Sequence, residues 1–290
     1  MIAIVDSGST KCDWVLLNDA GDFVLKTETI GFNPNIIDVG QIPAEILKNP
    51  ELDENRFSIN HLFFYGSGCG VKANCIKVED ALQKVFTNAK ITVKEDLTAA
   101  AYSAYTGKPA IVCILGTGSN ACYFDGEKIK RELPSLGFLI GDEGSGCALG
   151  KLLVKNYFMK KMPADLAKEF EAEYNLNIDD LIRNMYHNPR ANAYLADFSK
   201  FIVSRKKHPY LQHLVFQELK NYLDYQVIPY EESKTSEVNF IGSIAYYYED
   251  ILRSAAADLH LNIGTIVQKP IEALVEYHRK YILPKLEPTS

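Results

Sequence analysis

One pattern occurs twice in this 290-residue chain and limits what the chain can fold into. A short apolar, β-rich run over 2–5 ends on Asp6 and turns through Ser7-Gly8-Ser9-Thr10-Lys11-Cys12. A second run, over 110–115, turns through Gly116-Thr117-Gly118-Ser119-Asn120-Ala121-Cys122. Setting Gly8-Ser9-Thr10-Lys11-Cys12 above Gly118-Ser119-Asn120-Ala121-Cys122 matches Gly, Ser and Cys at one fixed offset, and a hairpin follows each turn. Self-similarity at a fixed offset points to duplicated architecture. The plainer alternative is coincidence, because Gly and Ser are common in turns.

Around these turns, strand-like runs alternate with helical ones. Segments 13–17 and 23–29 complete a three-strand meander through the turn Asn18-Asp19-Ala20-Gly21-Asp22. A strand over 61–65 ends in Gly66-Ser67-Gly68-Cys69-Gly70, followed by a helix over 73–86, a strand over 91–93 and a helix over 97–105. After a second hairpin at Asp125-Gly126, segment 151–230 is mainly helical, with Leu, Tyr and Phe at three- and four-residue spacing. The chain closes with a strand over 238–241, the turn Gly242-Ser243, a helix through 256, a strand over 263–267 and a helix over 271–281 opened by Pro270; only 284–290 reads as loose. The expected fold is α/β, built from two duplicated domains: 1–107 with 271–290, and 108–270, hinged near Gly107 and Pro270. An apolar fraction of 47% is enough for two cores.

The composition also excludes partners. A formal charge of −6 without a basic block gives no footprint for nucleic acid. No apolar run approaches the roughly 18 residues of a membrane span, and the first residues lack a positively charged flank, so a cytoplasmic protein is expected, with no membrane partner. Cys12, Cys69, Cys75, Cys113, Cys122 and Cys147 form no C-x-x-C pair and read as buried or loop thiols. His187, His208 and His213 read as surface or packing residues.

A strand that ends on an acid and turns through glycine into hydroxyls offers a concave set of N–H and O–H donors suited to phosphate oxygens. Gly8 would supply positive φ and close approach, Asp6 a Mg²⁺ contact and Lys11 charge. Taken singly, the motif is equally well a tight hairpin with a solvated acid. Two such turns in duplicated domains, facing across a cleft, would clasp one polyphosphate from both sides.

At this level of detail the chain resembles the actin-like (ribonuclease H-like) ATPase superfamily of sugar kinases, chaperones and actin. Within it, the resemblance is to N-acetylglucosamine kinases, in a broader group that includes benzoyl-CoA reductase activating ATPases. The likeness rests on Asp6 to Asp13, Gly31-Phe32-Asn33-Pro34-Asn35, Glu95-Asp96, Leu115 to Asn120, Gly141-Asp142-Glu143-Gly144-Ser145 and Ile241-Gly242-Ser243. It implies ATP and Mg²⁺ as cofactors and a small amino sugar as partner, with a nucleotide cleft between the domains. Gly8, Ser9, Thr10 and Lys11 would form the first phosphate loop, with Asp6 organising the metal; Gly116, Thr117, Gly118 and Ser119 would form the second, and Gly242 and Ser243 the adenosine turn. Asp96 would be the catalytic base, and Asn35, Asn120 and Asp142 would bind the sugar, with Asn33 beside them. Ser135 and Leu136 stand where eukaryotic relatives carry a Gly-Trp pair lining the sugar pocket, so that aromatic platform is missing.

The chemistry is consistent with those roles. Phosphoryl transfer needs positioning and charge neutralisation, and a carboxylate at Asp96 could accept the hydroxyl proton. A helix N-cap before Leu97-Thr98-Ala99-Ala100 is the simpler role for Asp96, and the two can coexist. Asp142 and Glu143 could likewise begin a helix, or emerge at a sheet edge after the apolar run 136–140. Self-association as a homodimer is expected. Two rivals stay open: an activator ATPase with an iron–sulfur cluster, for which Cys69 and Cys147 are the loop candidates, and a nucleotide switch without sugar kinase activity.

Overall fold

The structure, a computed structural model, describes residues 1–286. The chain divides into two compact units, one formed by 1–105 with the segment from Lys269 onward, the other by Thr106–Gln268.

The first unit is built on a five-stranded sheet of order β3-β2-β1-β4-β5. Its strands are β1 (Ile2–Ser7), β2 (Lys11–Leu17), β3 (Phe23–Ile30), β4 (His61–Gly66) and β5 (Lys90–Glu95). β1 runs antiparallel to β2 and parallel to β4, which is parallel to β5. The opening run lacks polar alternation because β1 is central and covered on both faces. Ala3 and Val5 pack with Trp14, Leu16, Phe64, Val78 and Leu82, while Ile2 and Ile4 pack with Val15, Ala99, Ile271 and Leu274 on the other face. The helix Lys72–Gln83 covers the first face, and helices Asp96–Ser103 and Pro270–Tyr277 the second.

The second unit repeats this plan. β6 (Ala110–Leu115), β7 (Ser119–Phe124), β8 (Ile129–Lys130), β9 (Glu237–Ile241) and β10 (Ile263–Val267) form a sheet of order β8-β7-β6-β9-β10, with the same pattern of antiparallel and parallel pairs. The duplication is therefore present in the fold, but the offset read from sequence is out of register. The last hairpin pair is Ser7↔Cys12 in one unit and Leu115↔Ser119 in the other, which places Gly8 over Gly116 rather than Gly118.

Four local expectations are corrected. The helix expected from Ser243 through 256 is two helices, Ser243–Tyr247 and Glu249–Asp258, because Tyr248 leaves helical dihedrals and buries its ring in the core. The helix expected over 271–281 is α-helical over Pro270–Tyr277 and widens to a π-helix over His278–Ile282, where His278 turns into the core. The apolar run 136–140 does not lead out of a sheet: Gly137–Ile140 is one helical turn, with Leu139 79% and Ile140 73% exposed. Of the segment expected to be loose, Leu283–Lys285 forms a 3-10 turn, and 287–290 lie outside the described residues. Among the described residues no helix is long and apolar enough to cross a membrane. Neither His187 nor His213 is buried, and His208 is partly exposed beside Asp165.

His278 illustrates how closely the second face of the first sheet is packed. Its imidazole is fully buried, its Nε2 meets the Tyr65 hydroxyl at 2.8 Å, and its ring stands edge-on to Phe63 at 4.7 Å. Burial, and secondarily the charge of Lys94, pushes its pKa down to about 3. The unfolded chain protonates this group near pH ~6.5, while the folded chain does not. Stability is therefore full above about pH 6.5 and falls as the pH drops towards 3. In urea titrations between pH 7 and 4.5, His278→Phe should flatten this part of the pH dependence; an unchanged slope would remove His278 as its source.

Candidate active site

The residues expected to carry chemistry in the first unit leave the sheet at one edge. The parallel pairing puts Ser7 beside Gly66 and Gly66 beside Glu95, so the residues that follow each strand emerge together. These are the turn 8–10, the turn Ser67-Gly68 and Asp96, the first residue of its helix. The carboxyl ends of parallel strands are where open α/β sheets bind ligands. Asp6 lies on the same face of β1 as Ile2 and Ile4, the face covered by the helix that Asp96 begins.

A connected set of side chains ties this edge together. Asn33 donates its amide to the Ser9 hydroxyl at 2.9 Å and, at 3.4 Å, to that of Ser67, and its Oδ1 accepts the Asn35 N–H at 3.0 Å. Asn33 is 7% exposed and uses its side chain inside the unit, whereas Asn35 is exposed. Ser67 donates to Asp96, and Asp96 Oδ1 accepts the Leu97 N–H at 2.9 Å. The expected N-cap role thus falls to Glu95 by position, while the Asp96 carboxylate still takes a backbone donor of the first turn. Lys11 is held at 3.1 Å from Asp13 and 2.6 Å from Glu28, so its charge is already paired within β2 and β3.

Two carboxyls at this edge hold their protons more tightly than usual. Burial, the nearby charge of Asp96 and then that of Asp13 push the Asp6 pKa up to about 7. Burial also raises that of Asp96, opposed by the Leu97 N–H and the Ser67 hydroxyl. The one cation that opposes the shift of Asp6 is Lys11, already paired with Asp13 and Glu28, and a divalent cation is a group whose charge would favour the ionised pair.

The second unit has an equivalent edge, after β6 and β9. Gly116, Thr117 and Gly118 close the β6–β7 hairpin, with the Gly116 N–H donating to the Gly118 carbonyl at 3.0 Å. The N–H groups of Gly146 and Cys147, at the start of the helix Gly146–Phe158, donate to the carbonyls of Gly116 and Thr117. Ser145 caps that helix, so Asp142 and Glu143 belong to the preceding turn rather than to the helix. Asp142 adopts φ 62°, and its carboxylate lies over Gly118, where an added Cβ would stand 2.8 Å from Oδ2. Gly242 packs on the same turn at φ 121°, its would-be Cβ 2.4 Å from the Leu115 carbonyl oxygen, and Ser243 begins the helix beyond it. Asn120 sits on β7, its carbonyl accepting the Tyr222 hydroxyl at 2.9 Å. Ser135 and Leu136 are exposed just before the helical turn Gly137–Ile140 that leads to Asp142.

Each unit therefore gathers its own share of the expected residues. Asp6, Gly8 to Lys11, Asn33, Asn35 and Asp96 share one edge, while Gly116 to Asn120, Asp142, Gly242 and Ser243 share the other. Gly8 does not do what the motif suggested. It has no positive φ, and an added Cβ would meet only the Lys11 carbonyl at 3.5 Å. The turn is closed instead by Gly31, whose would-be Cβ stands 2.2 Å from the Gly8 carbonyl oxygen and 2.7 Å from Ser9 backbone. Ser67 was also missed as a functional residue, although the Gly66-Ser67-Gly68 string at a strand end was a readable sign. Cys147 is helical rather than in a loop, and both it and Cys69 are buried, with burial pushing each thiol up to about 12. Both side chains are thus packed inside their own units rather than presented at the surface.

The BadF/BadG/BcrA/BcrD ATPase family matches residues 5–239. Among solved structures, the chain is 35% identical to a proposed N-acetylglucosamine kinase from Porphyromonas gingivalis, with 97% of this chain and 99% of that one covered at a TM-score of 0.89. A proposed N-acetylglucosamine kinase from Chromobacterium violaceum is 16% identical over 96% of this chain and 99% of that one, at a TM-score of 0.74. A ROK family glucokinase from Streptomyces griseus, in complex with glucose and AMPPNP, is 15% identical over 96% and 99%, at a TM-score of 0.53, a likeness of fold. No curated protein sequence matches the chain. The duplicated α/β fold expected of the actin-like group is the fold that these structures share.

The contrast between Gly8 and Gly31 gives a direct check on the first turn. Gly8→Ala should leave the thermal midpoint nearly unchanged, whereas Gly31→Ala should destabilise the protein by about 1–3 kcal/mol through the backbone clash. Calorimetry on the two variants measures this, and equal midpoints would show that the turn yields at no cost.

Proposed function

Because the chain belongs to the BadF/BadG/BcrA/BcrD ATPase family, we propose that it is an ATP-dependent kinase that phosphorylates a hydroxyl of an amino sugar, N-acetylglucosamine or a related N-acetylhexosamine. The likeness over nearly its full length to the Porphyromonas gingivalis protein supports that substrate class. The observation that carries the reading is the setting of Asp96, a desolvated carboxylate at the strand-end edge, oriented by the Leu97 N–H and the Ser67 hydroxyl beside the Gly8 turn.

In this reading Asp96 accepts the proton of the attacking sugar hydroxyl, and its two hydrogen bonds keep a lone pair aimed at that proton. Gly8, Ser9, Thr10 and Lys11 in one unit, and Gly116, Thr117, Gly118 and Ser119 in the other, hold phosphate oxygens through backbone and hydroxyl donors. Gly242 and Ser243 bear on the adenosine; Gly242 packs its bare Cα against the Leu115 carbonyl and so holds this turn against the second phosphate loop. Asn35 in the first unit, and Asn120, Asp142, Ser135 and Leu136 in the second, are assigned to the sugar; none of these is aromatic, so recognition is by polar contacts. The Asp6 carboxyl fits a Mg²⁺ ion, whose bound charge would neutralise developing negative charge on the phosphates. The reading includes residence in the cytoplasm and action as a homodimer.

ADP release from Mg-ATP, measured across a panel of hexoses and amino sugars, tests the proposal. N-acetylglucosamine should raise turnover well above the rate without sugar, and Asp96→Asn should lower the stimulated rate by about 10²–10⁴-fold. If no sugar stimulates turnover, the kinase reading fails; if Asp96→Asn turns over as fast as the native protein, Asp96 is not the base.

A further inference from the structure

The amide of Asn35 can face a ligand with either its oxygen or its nitrogen, and the surrounding chain decides which. Asn74, in the first turn of the helix Lys72–Gln83, reaches back to Asn35 and to the Gly66-Ser67-Gly68 turn. Its Nδ2 lies 2.9 Å from the carbonyl oxygen of Gly68 and 2.9 Å from Asn35 Oδ1. A backbone carbonyl only accepts, so the group that Asn74 turns towards Gly68 must be its NH₂. The same NH₂ then meets Asn35, and the Asn35 atom facing it must be the acceptor, Oδ1.

The backbone of Asn35 is fixed independently, because its N–H donates to Asn33 Oδ1 at 3.0 Å. With Oδ1 engaged, Asn35 is left with Nδ2, which donates to no acceptor among the described residues and lies over Gly68, 3.1 Å from where a Cβ would stand. Gly68, at φ 81°, has no side chain to obstruct it.

We propose that Asn74 is a positioning residue that sets the hydrogen-bonding polarity of Asn35, so that the sugar is met by an N–H donor and must offer an acceptor there, a hydroxyl or acetamido oxygen rather than an ammonium. The inference rests on the kinase reading given above, in which Asn35 faces the sugar. Asn74 touches no substrate in this scheme and acts through Asn35 alone.

Asn74→Ala leaves Asn35 free to rotate, and Asn74→Asp forces the wrong polarity, because a carboxylate accepts Asn35 Nδ2 and turns Oδ1 outward. With N-acetylglucosamine and Mg-ATP, Asn74→Ala should raise the KM for sugar about fivefold, the worth of one neutral hydrogen bond, with kcat and the KM for ATP little changed. Asn74→Asp should raise it further. In an Asn35→Ala background neither substitution should add to the effect of Asn35→Ala, because the group they act through is gone. Sugar KM values that rise by the same factors in that background, or an ATP KM that rises in step, would reduce Asn74 to a structural role and overturn the inference while the kinase reading stands. A native protein that no sugar stimulates would overturn the kinase reading and this inference together.

Discussion

Three parallel strands that end level with one another fix the first unit's candidate site. In a parallel ladder every strand points the same way, so the in-register ends at Ser7, Gly66 and Glu95 deliver three loops to one edge. Backbone groups beyond that edge have no ladder partner and must find others. They do so through short polar side chains: Ser7 Oγ accepts the Phe32 N–H, Asn33 Oδ1 the Asn35 N–H and Asp96 the Leu97 N–H. The polar network is thus a consequence of sheet termination, and whatever binds there inherits donors and acceptors already oriented. The second unit obeys the same constraint with different chemistry, since the carbonyls of its glycine turn are taken by the first N–H groups of a helix.

The layout of strands was legible in the sequence because both faces of β1 and β6 are covered, so each reads as an unbroken apolar run bounded by turn residues. The repeat of that theme is also what suggested a boundary near Gly107 and Pro270. What local pattern could not show was which glycine a turn depends on. Gly8 looked necessary because it sits in the motif, yet the steric demand falls on Gly31, brought against Gly8 and Ser9 by the pairing of β2 with β3. The offset of the repeat failed for a related reason: Gly, Ser and Cys recur in both hairpins, but register is set by the turn closing each one, and the two turns differ in length. The segment 136–140 misled because its apolar residues suggest burial, while Gly137 at φ 68° lets the chain curl into an exposed turn.

Side-chain partners across long sequence separations were the least legible part of the site. Ser67 and Asp96, or Asn35 and Asn74, share no local pattern, since their meeting depends on which strand lies beside which. The residue types did carry information. Ser and Asn at strand ends are what an edge with unpaired backbone groups requires, and their clustering around Gly66-Ser67-Gly68 and Gly31 to Asn35 marks that edge even where the partners cannot be assigned.

The electrostatics of the same edge separate two carboxyls that sequence alone treats alike. Asp6 and Asp96 are both desolvated, and the charge of Asp96 adds to the cost of ionising Asp6. Asp96, however, has two donors aimed at it, the Leu97 N–H and the Ser67 hydroxyl, and both favour its ionised form. For Asp6 the only opposing influence is the charge of Lys11, whose ammonium is already engaged by Asp13 and Glu28. Burial favours the protonated form of both, but only Asp96 has donors that hold its carboxylate, the form that can accept a proton from an alcohol. Two acids at one sheet edge acquire different roles because only one has hydrogen-bond donors built around its charge.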